Sequence, residues 1–265
     1  ENAKLYLPVE NIELLSRYGH EEGLLDKLGG GAWQAKKARL KERIRLMAER
    51  LMRVAAERLL RKAPILEAPH HEYDAFAARF PWAETEDQMS AIDEVLDDLA
   101  EGRPMDRLIV GDVGFGKTEV AIRAAFKAAM AGKQVAILCP TTILAFQHFR
   151  SFSKRFADYP VKIDFISRFR TASEANEIKQ KLADGKIDIV IGTHALLSDD
   201  VRYKSLGLLI IDEEQRFGVS HKEKLKRLKH NLDCLALTAT PIPRTLHMSL
   251  AGIRDLSIIE TPPAD

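Results

Sequence analysis

One octapeptide, Gly111-Asp112-Val113-Gly114-Phe115-Gly116-Lys117-Thr118, limits what this chain can fold into more than any other stretch. It joins an apolar run, Leu108-Ile109-Val110, directly to a helix-patterned segment running from Glu119 to Met130. A strand, a glycine-rich turn and a helix in that order make a phosphate-cradling loop. The glycines let backbone amides wrap an anion at the helix N-terminus. Lys117 reaches the β and γ phosphates, and the Thr118 hydroxyl takes a place on magnesium. A chance match to this pattern in a chain of this length is on the order of one in a hundred, and the flanking strand and helix lower it further. Residues Gly111, Asp112, Val113, Gly114, Phe115, Gly116, Lys117 and Thr118 are therefore assigned to a nucleotide, with ATP and Mg2+ as the cofactors.

The surrounding pattern agrees. Short apolar runs at 108–110, 135–138, 163–166, 187–191, 208–211 and 234–237 alternate with amphipathic stretches, which predicts a parallel sheet covered by helices on both faces. In such a sheet ligands sit at the carboxyl ends of the strands, so the residues just after each run are the ones to inspect. With 265 residues, 46% of them hydrophobic, the chain can bury one large core, or one core plus an appendage. No run approaches the roughly 20 apolar residues of a bilayer span and no leader pattern opens the chain, so the expected setting is cytoplasmic with no membrane partner. A formal net charge of +1 says nothing about nucleic acid. Cys139 and Cys234 fall at apolar runs outside any metal-ligand spacing and read as buried thiols.

Before the sheet the pattern differs. Leu5-Tyr6-Leu7-Pro8-Val9 reads as a short strand, Gly29-Gly30-Gly31 breaks the chain, and Trp33 to Lys62 carries Leu40, Ile44, Met47, Leu51, Val54 and Ala55 at helical spacing. The other face of this long helix is rich in Lys and Arg, either solvated or set against phosphates or an acidic partner. Its apolar stripe is expected to be covered, by the rest of the chain or by a neighbour. Pro64 and Pro69 end it and begin a linker. The first residue, Glu1, and the closing Thr261-Pro262-Pro263-Ala264-Asp265 suggest a piece of a longer chain.

After the run 208–211 come Asp212-Glu213-Glu214-Gln215. In a P-loop enzyme Asp212 would hold the metal, usually through water, and Glu213 would polarise an attacking water. Asp212-Glu213-Glu214-Gln215-Arg216-Phe217-Gly218 resembles motif II of superfamily 2 helicases. Other motifs of that superfamily follow in order: Pro140 to His148 is similar to motif Ia, Gly192-Thr193-His194-Ala195-Leu196-Leu197 to motif Ib, and Thr238-Ala239-Thr240-Pro241-Ile242-Pro243-Arg244 to motif III. Phe80-Pro81 with Thr85 and Gln88 resembles the Q-type motif, Gln88 offering donor and acceptor to the adenine edge. The resemblance spans roughly residues 80–260.

Within the superfamily the chain resembles the bacterial transcription-repair coupling factors, with RecG-type branched-DNA helicases as the alternative. Phe115, Leu138-Cys139-Pro140-Thr141-Thr142 and the double Glu before Gln215 carry that preference. The leader resembles the end of a polymerase-interacting module and its connecting helix, which the RecG type is expected to lack. The resemblance implies an α/β, RecA-like P-loop lobe with a parallel sheet flanked by helices, preceded by a long basic amphipathic helix and a short β remnant. It implies three parts: 1–31 the end of a partner-binding β module, 32–79 linking helix and linker, 80–265 the first motor lobe. Lys117, Asp212, Glu213 and Gln215 become catalytic, and Phe80 and Gln88 line the base. Thr141, Thr142, His148, Arg168, Thr193 and His194 contact duplex DNA, while Thr238, Ala239 and Thr240 couple nucleotide state to DNA grip. RNA polymerase and excision-repair proteins are the implied partners of the longer protein. Thr141 and Thr193 can equally be helix caps, and Arg168 a plain surface arginine. A second lobe would supply arginines to the transferring phosphoryl group, so hydrolysis by this chain is expected to be weak. A nucleotide-gated interaction module without motor action is the competing class, and the intact Asp212-Glu213 pair argues against it.

Overall fold

The computed structural model describes residues 31–168, 170–240 and 254–263. Within these, seven parallel strands form one sheet in the order β3-β4-β2-β5-β6-β1-β7. They are β1 (Asp106–Gly111), β2 (Gln134–Leu138), β3 (Ile163–Ile166), β4 (Ile189–Gly192), β5 (Leu206–Asp212), β6 (Asp233–Thr238) and β7 (Asp255–Ile259). The first six lie on the apolar runs read from the sequence; β7 is additional. The central strands are buried on both faces, which is why they read as unbroken apolar runs and not as alternating ones.

Each face has its own core. Ile109, Ile137, Ile191, Ile210 and Leu237 pack against helices α2 (His70–Ala77), α3 (Glu86–Ala100), α4 (Lys117–Met130) and α5 (Thr142–Arg155). Leu108, Ala136, Val190, Leu209 and Ala236 pack against Ile178 and Leu182 of α6 (Ala172–Ala183) and Leu225 of α7 (Val219–Leu228). The stretch 64–79, read above as linker, joins the first core: Leu66 and Phe76 are fully buried, and Phe76 stacks on Phe126 at 4.1 Å. The cysteines are buried and unbridged, and burial pushes the Cys139 thiol up, while it lifts Cys234 to about 12.

Helix α1 (Gly31–Leu59) belongs up to Arg53 to one compact unit, and from Val54 on the chain belongs to the other, which carries the sheet. On α1 Leu40 and Ile44, counted on the apolar stripe, are 59% and 58% exposed. Arg45 of its basic face is paired with Glu42 and Glu49. The strand read at 5–9 lies outside the described residues. No described helix is long and apolar enough to cross a membrane.

Candidate active site

The sheet order decides which loops meet. Strands β5, β6 and β1 are neighbours, as are β3, β4 and β2, so the carboxyl edge divides into two halves, each with its own cleft.

In the first half β1 ends at Gly111 and α4 begins at Lys117. Gly114 (φ +87°) and Gly116 (φ +81°) take the left-handed conformation that side chains avoid, and a Cβ on Gly116 would collide with the Gln88 amide. Lys117 Nζ donates to the carbonyls of Gly111 (2.6 Å) and Asp112 (2.7 Å). Burial holds its ammonium below the usual lysine range, while the charges of Glu213, Asp212 and Asp112 oppose that shift. Asp212 and Glu213, expected beside the triphosphate, thus stand near enough to Lys117 for their charges to act on it.

Gln88 is 4% exposed, and both ends of its amide are engaged by neighbours. Its Oε1 accepts from Thr85 N (3.0 Å), closing a capping box at the start of α3, and its Nε2 donates to Phe115 O (3.0 Å). Thr85-x-x-Gln88 is a capping-box signature that was visible in the sequence. Beside it a cleft of about 870 Å³ runs from Gly114, Gly116 and Thr118 to Phe80 and Trp82. Its wall is a buried ionic cluster that sequence reasoning missed. Glu119 accepts from Arg123 Nε (3.0 Å) and Arg155 Nη2 (2.6 Å), and the guanidinium groups of Arg123 and Arg155 each lie 5.8 Å from the Phe80 ring. The i,i+4 spacing of Glu119 and Arg123 was the available signal.

At the end of β5, Asp212 Oδ2 meets His148 Nε2 at 2.9 Å, with both residues buried (9% and 8% exposed). His148, expected at the DNA, does not line the groove with the others: Ala145, His148 and Phe152 form the buried face of α5, and its imidazole meets Asp212. Glu213 (φ +50°) is the one non-glycine residue with positive φ among those described, a conformation costing about 1–3 kcal/mol. Its compensation is local, since Glu213 N donates to Leu237 O and Ala239 N donates to Glu213 Oε1, both at 2.8 Å. Gln215 Nε2 donates to Glu213 and to Thr240 Oγ1 (3.0 Å), and Thr238 Oγ1 donates to Gln215 Oε1 (3.4 Å). Residues 238–240 thus bond directly to 213 and 215, because β6 lies between β5 and β1. Glu214 turns away. Burial alone would raise its carboxyl, but the charges of Arg254 and Lys229 outweigh burial and hold it at about 2.

The second half holds a groove of about 770 Å³ at the ends of β2, β3 and β4. It brings together Thr141, Thr142, Arg168, Thr193 and His194, five of the six residues assigned to DNA, with Ser167 beside them. Three cationic or titratable side chains join them that the sequence did not single out: Lys179, His221 and Lys224. His221 stacks on His194 at 4.9 Å, a neighbour relation across 27 residues that no local pattern carries. Thr141 does cap α5, accepting from Leu144 N at 3.2 Å, and still lines the groove. Thr193 makes no side-chain cap.

Oxygen donors suit magnesium carried by a nucleotide, which takes one or two protein ligands and keeps several waters. Thr118 and Asp212 are such donors, Asp212 is fixed by His148, and no cluster of three or more His, Cys, Asp or Glu among the described residues makes a dedicated cage.

The family model described as "DEAD/DEAH box helicase" matches residues 85–249, more than half of the chain. Curated relatives from Bacillus subtilis and Staphylococcus aureus, each called "Transcription-repair-coupling factor", are 57% and 53% identical over 98% of the chain. The chain spans only 22% of their length. A solved structure of RecG bound to a three-way DNA junction is similar with a TM-score of 0.73 and 32% identity, covering 99% of this chain and 36% of that one. That match includes the leader, so the leader does not separate the two resemblances.

Proposed function

The chain belongs to the DEAD/DEAH box helicase family, and from that membership we propose that it is the ATP-binding lobe of a motor that tracks along duplex DNA. The observation that carries this reading is the carboxyl edge of one sheet: the glycine loop and Lys117 follow β1 and Asp212 ends β5 on one side, and a groove lined by hydroxyls and cations lies at the ends of β2, β3 and β4 on the other. Lys117 and the loop amides would bind the triphosphate, and Thr118 and Asp212 would hold its Mg2+, which would supply charge neutralisation to phosphoryl transfer. Glu213 orients water. Its hydrogen bond from Ala239, and those of Gln215 to Thr238 and Thr240, make residues 238–240 responsive to the cleft's contents. In the groove, contacts fall to backbone phosphates and not to base edges, which suits a motor indifferent to sequence.

The curated relatives' name supports a further step: the longer protein displaces stalled RNA polymerase and couples transcription to excision repair, with residues 1–31 and 32–79 serving as the end of a partner-binding module and its link. A RecG-like action on branched DNA is the second reading, favoured by the structural match over 99% of the chain. Both share the ATP-binding lobe. We place slow hydrolysis on this lobe alone, because among the described residues the arginines lining its cleft, Arg79 and Arg155, lie at the Phe80 end, and Arg155 is tied to Glu119. A transition-state arginine is worth about 10³–10⁵ in turnover, and we assign it to a second lobe. The test is Mg2+-dependent ATP binding and turnover with and without duplex DNA, beside Lys117→Ala. Binding lost in the variant with negligible turnover in both supports the reading. Brisk turnover by the unaltered chain contradicts the assignment of that arginine to another lobe.

A further inference from the structure

We propose that His148 is a positioning residue for Asp212, and that α5 thereby ties the groove to the metal end of the nucleotide cleft; this rests on the nucleotide reading above. Helix α5 has 14 residues, about 21 Å at 1.5 Å per residue, and it touches both clefts. Its cap Thr141 and first residue Thr142 line the groove. Its last turns supply Ser151, Lys154 and Arg155 to the Phe80 end of the nucleotide cleft. Between them, His148 Nε2 bonds Asp212 Oδ2 at 2.9 Å.

The helix is capped at its start and anchored at its end. Thr141 Oγ1 caps Leu144 N, and Arg155 bonds Glu119 and the Phe76 carbonyl (3.1 Å). His148 and Arg155 are seven residues apart, hence on one face, and both point into the core side of the cleft. The imidazole is fixed edge-on against Phe152 at 6.3 Å. Among the described residues His148 is the side chain that hydrogen-bonds the Asp212 carboxylate, so the direction of the remaining carboxylate oxygen depends on where α5 stands. A ligand in the groove that shifts the α5 N-terminus moves the imidazole with it, since a hydrogen-bonded helix this short moves as a rod. Partners of this kind, one bond removed from a metal, typically carry 10- to 100-fold in metal affinity when lost.

The test measures the affinity of a fluorescent ADP analogue in Mg2+ and in EDTA for the unaltered chain, His148→Ala and His148→Gln, with melting curves for all three. A second arm repeats the Mg2+ titration with saturating duplex DNA. The unaltered chain is expected to bind more tightly in Mg2+ than in EDTA. The alanine variant loses about 10- to 100-fold of that increment while its EDTA affinity stays within about twofold. The glutamine variant, whose amide can donate to the same oxygen, recovers most of it. Duplex DNA changes the Mg2+ affinity of the unaltered chain and leaves that of the alanine variant unchanged, though both bind DNA. The proposal is overturned by equal losses in Mg2+ and EDTA, by no loss, by a glutamine variant as weak as alanine, or by a DNA effect absent from the unaltered chain or retained in the alanine variant. Failure of the nucleotide reading looks different: the unaltered chain itself binds in neither condition, and the proposal falls with it.

Discussion

The two clefts on the sheet edge are built on opposite plans. In the nucleotide cleft the functional side chains bond one another: Gln88 holds Phe115 O, His148 holds Asp212, Ala239 N holds Glu213, and Gln215 bridges to Thr240. The groove at β2, β3 and β4 holds its lysines differently. Lys179 and Lys224 are paired with the exposed Asp200 and Asp199, at 2.6 and 3.5 Å, and Lys224 also donates to Leu197 O (3.3 Å). The first plan fixes donors before a ligand arrives, as chemistry on a phosphoryl group demands. The second offers exchangeable ion pairs, which suits a backbone that must be gripped and released. Bonds between site residues thus mark the first site, and ion pairs with exposed carboxylates mark the second.

The largest effect that would break this contrast is on the cleft wall. Glu119→Ala leaves Arg123 and Arg155 short of a buried partner, a loss of about 3–5 kcal/mol. A fall in melting temperature of about 10 °C follows, and calorimetry reads it; a neutral result would mean the wall is not built on that cluster. Next, Lys117→Ala removes charge-assisted bonds to phosphate worth about 1.5–3 kcal/mol. ATP affinity should fall on the order of tenfold to a hundredfold while duplex DNA binding stays unchanged, as anisotropy would report. In the groove, Arg168→Ala with Lys179→Ala should weaken DNA binding alike for all sequences and reduce the salt slope by about 1 for each phosphate no longer neutralised. Nucleotide affinity should hold.

Two buried acids sharpen the contrast through pH. Glu214 lies at about 2, below its ordinary 4.5, so its contribution is full above pH 4.5 and is lost as pH falls toward 2. Asp233 goes the other way: burial, opposed by the Met105 N–H, lifts it to about 7. Its ionisation therefore costs stability increasingly as pH rises from 3.8 to about 7. Asp233→Asn should gain in melting temperature over the unaltered chain across that window and keep a constant gain above it.

The sheet was legible because buried parallel strands are apolar runs, and six of them stood out. Strand β7 did not: it is a five-residue edge strand, Asp255–Ile259, whose partner β1 lies about 150 residues earlier. Helix α2 hid for a similar reason, since its single buried residue, Phe76, finds its stacking partners far along the chain. At the site, Lys117, Asp212 and Glu213 came from motif and strand position together. His148 was placed by its motif neighbours and not by helical phase, although Ala145, His148 and Phe152 share one face. The left-handed Glu213 and the His194–His221 stack had no sequence signal, because both are set by tertiary contacts.

The central claim is that one sheet edge binds two different ligands in two separate clefts. Hydrogen exchange of the 265-residue chain, with Mg2+-ADP and with duplex DNA in turn, tests it most directly. The nucleotide should protect amides in 111–118 and 213–216, and duplex DNA those in 141–144, 193–198 and 221–224. Protection of the same peptides by both ligands, or none in the groove peptides with DNA bound, would contradict it.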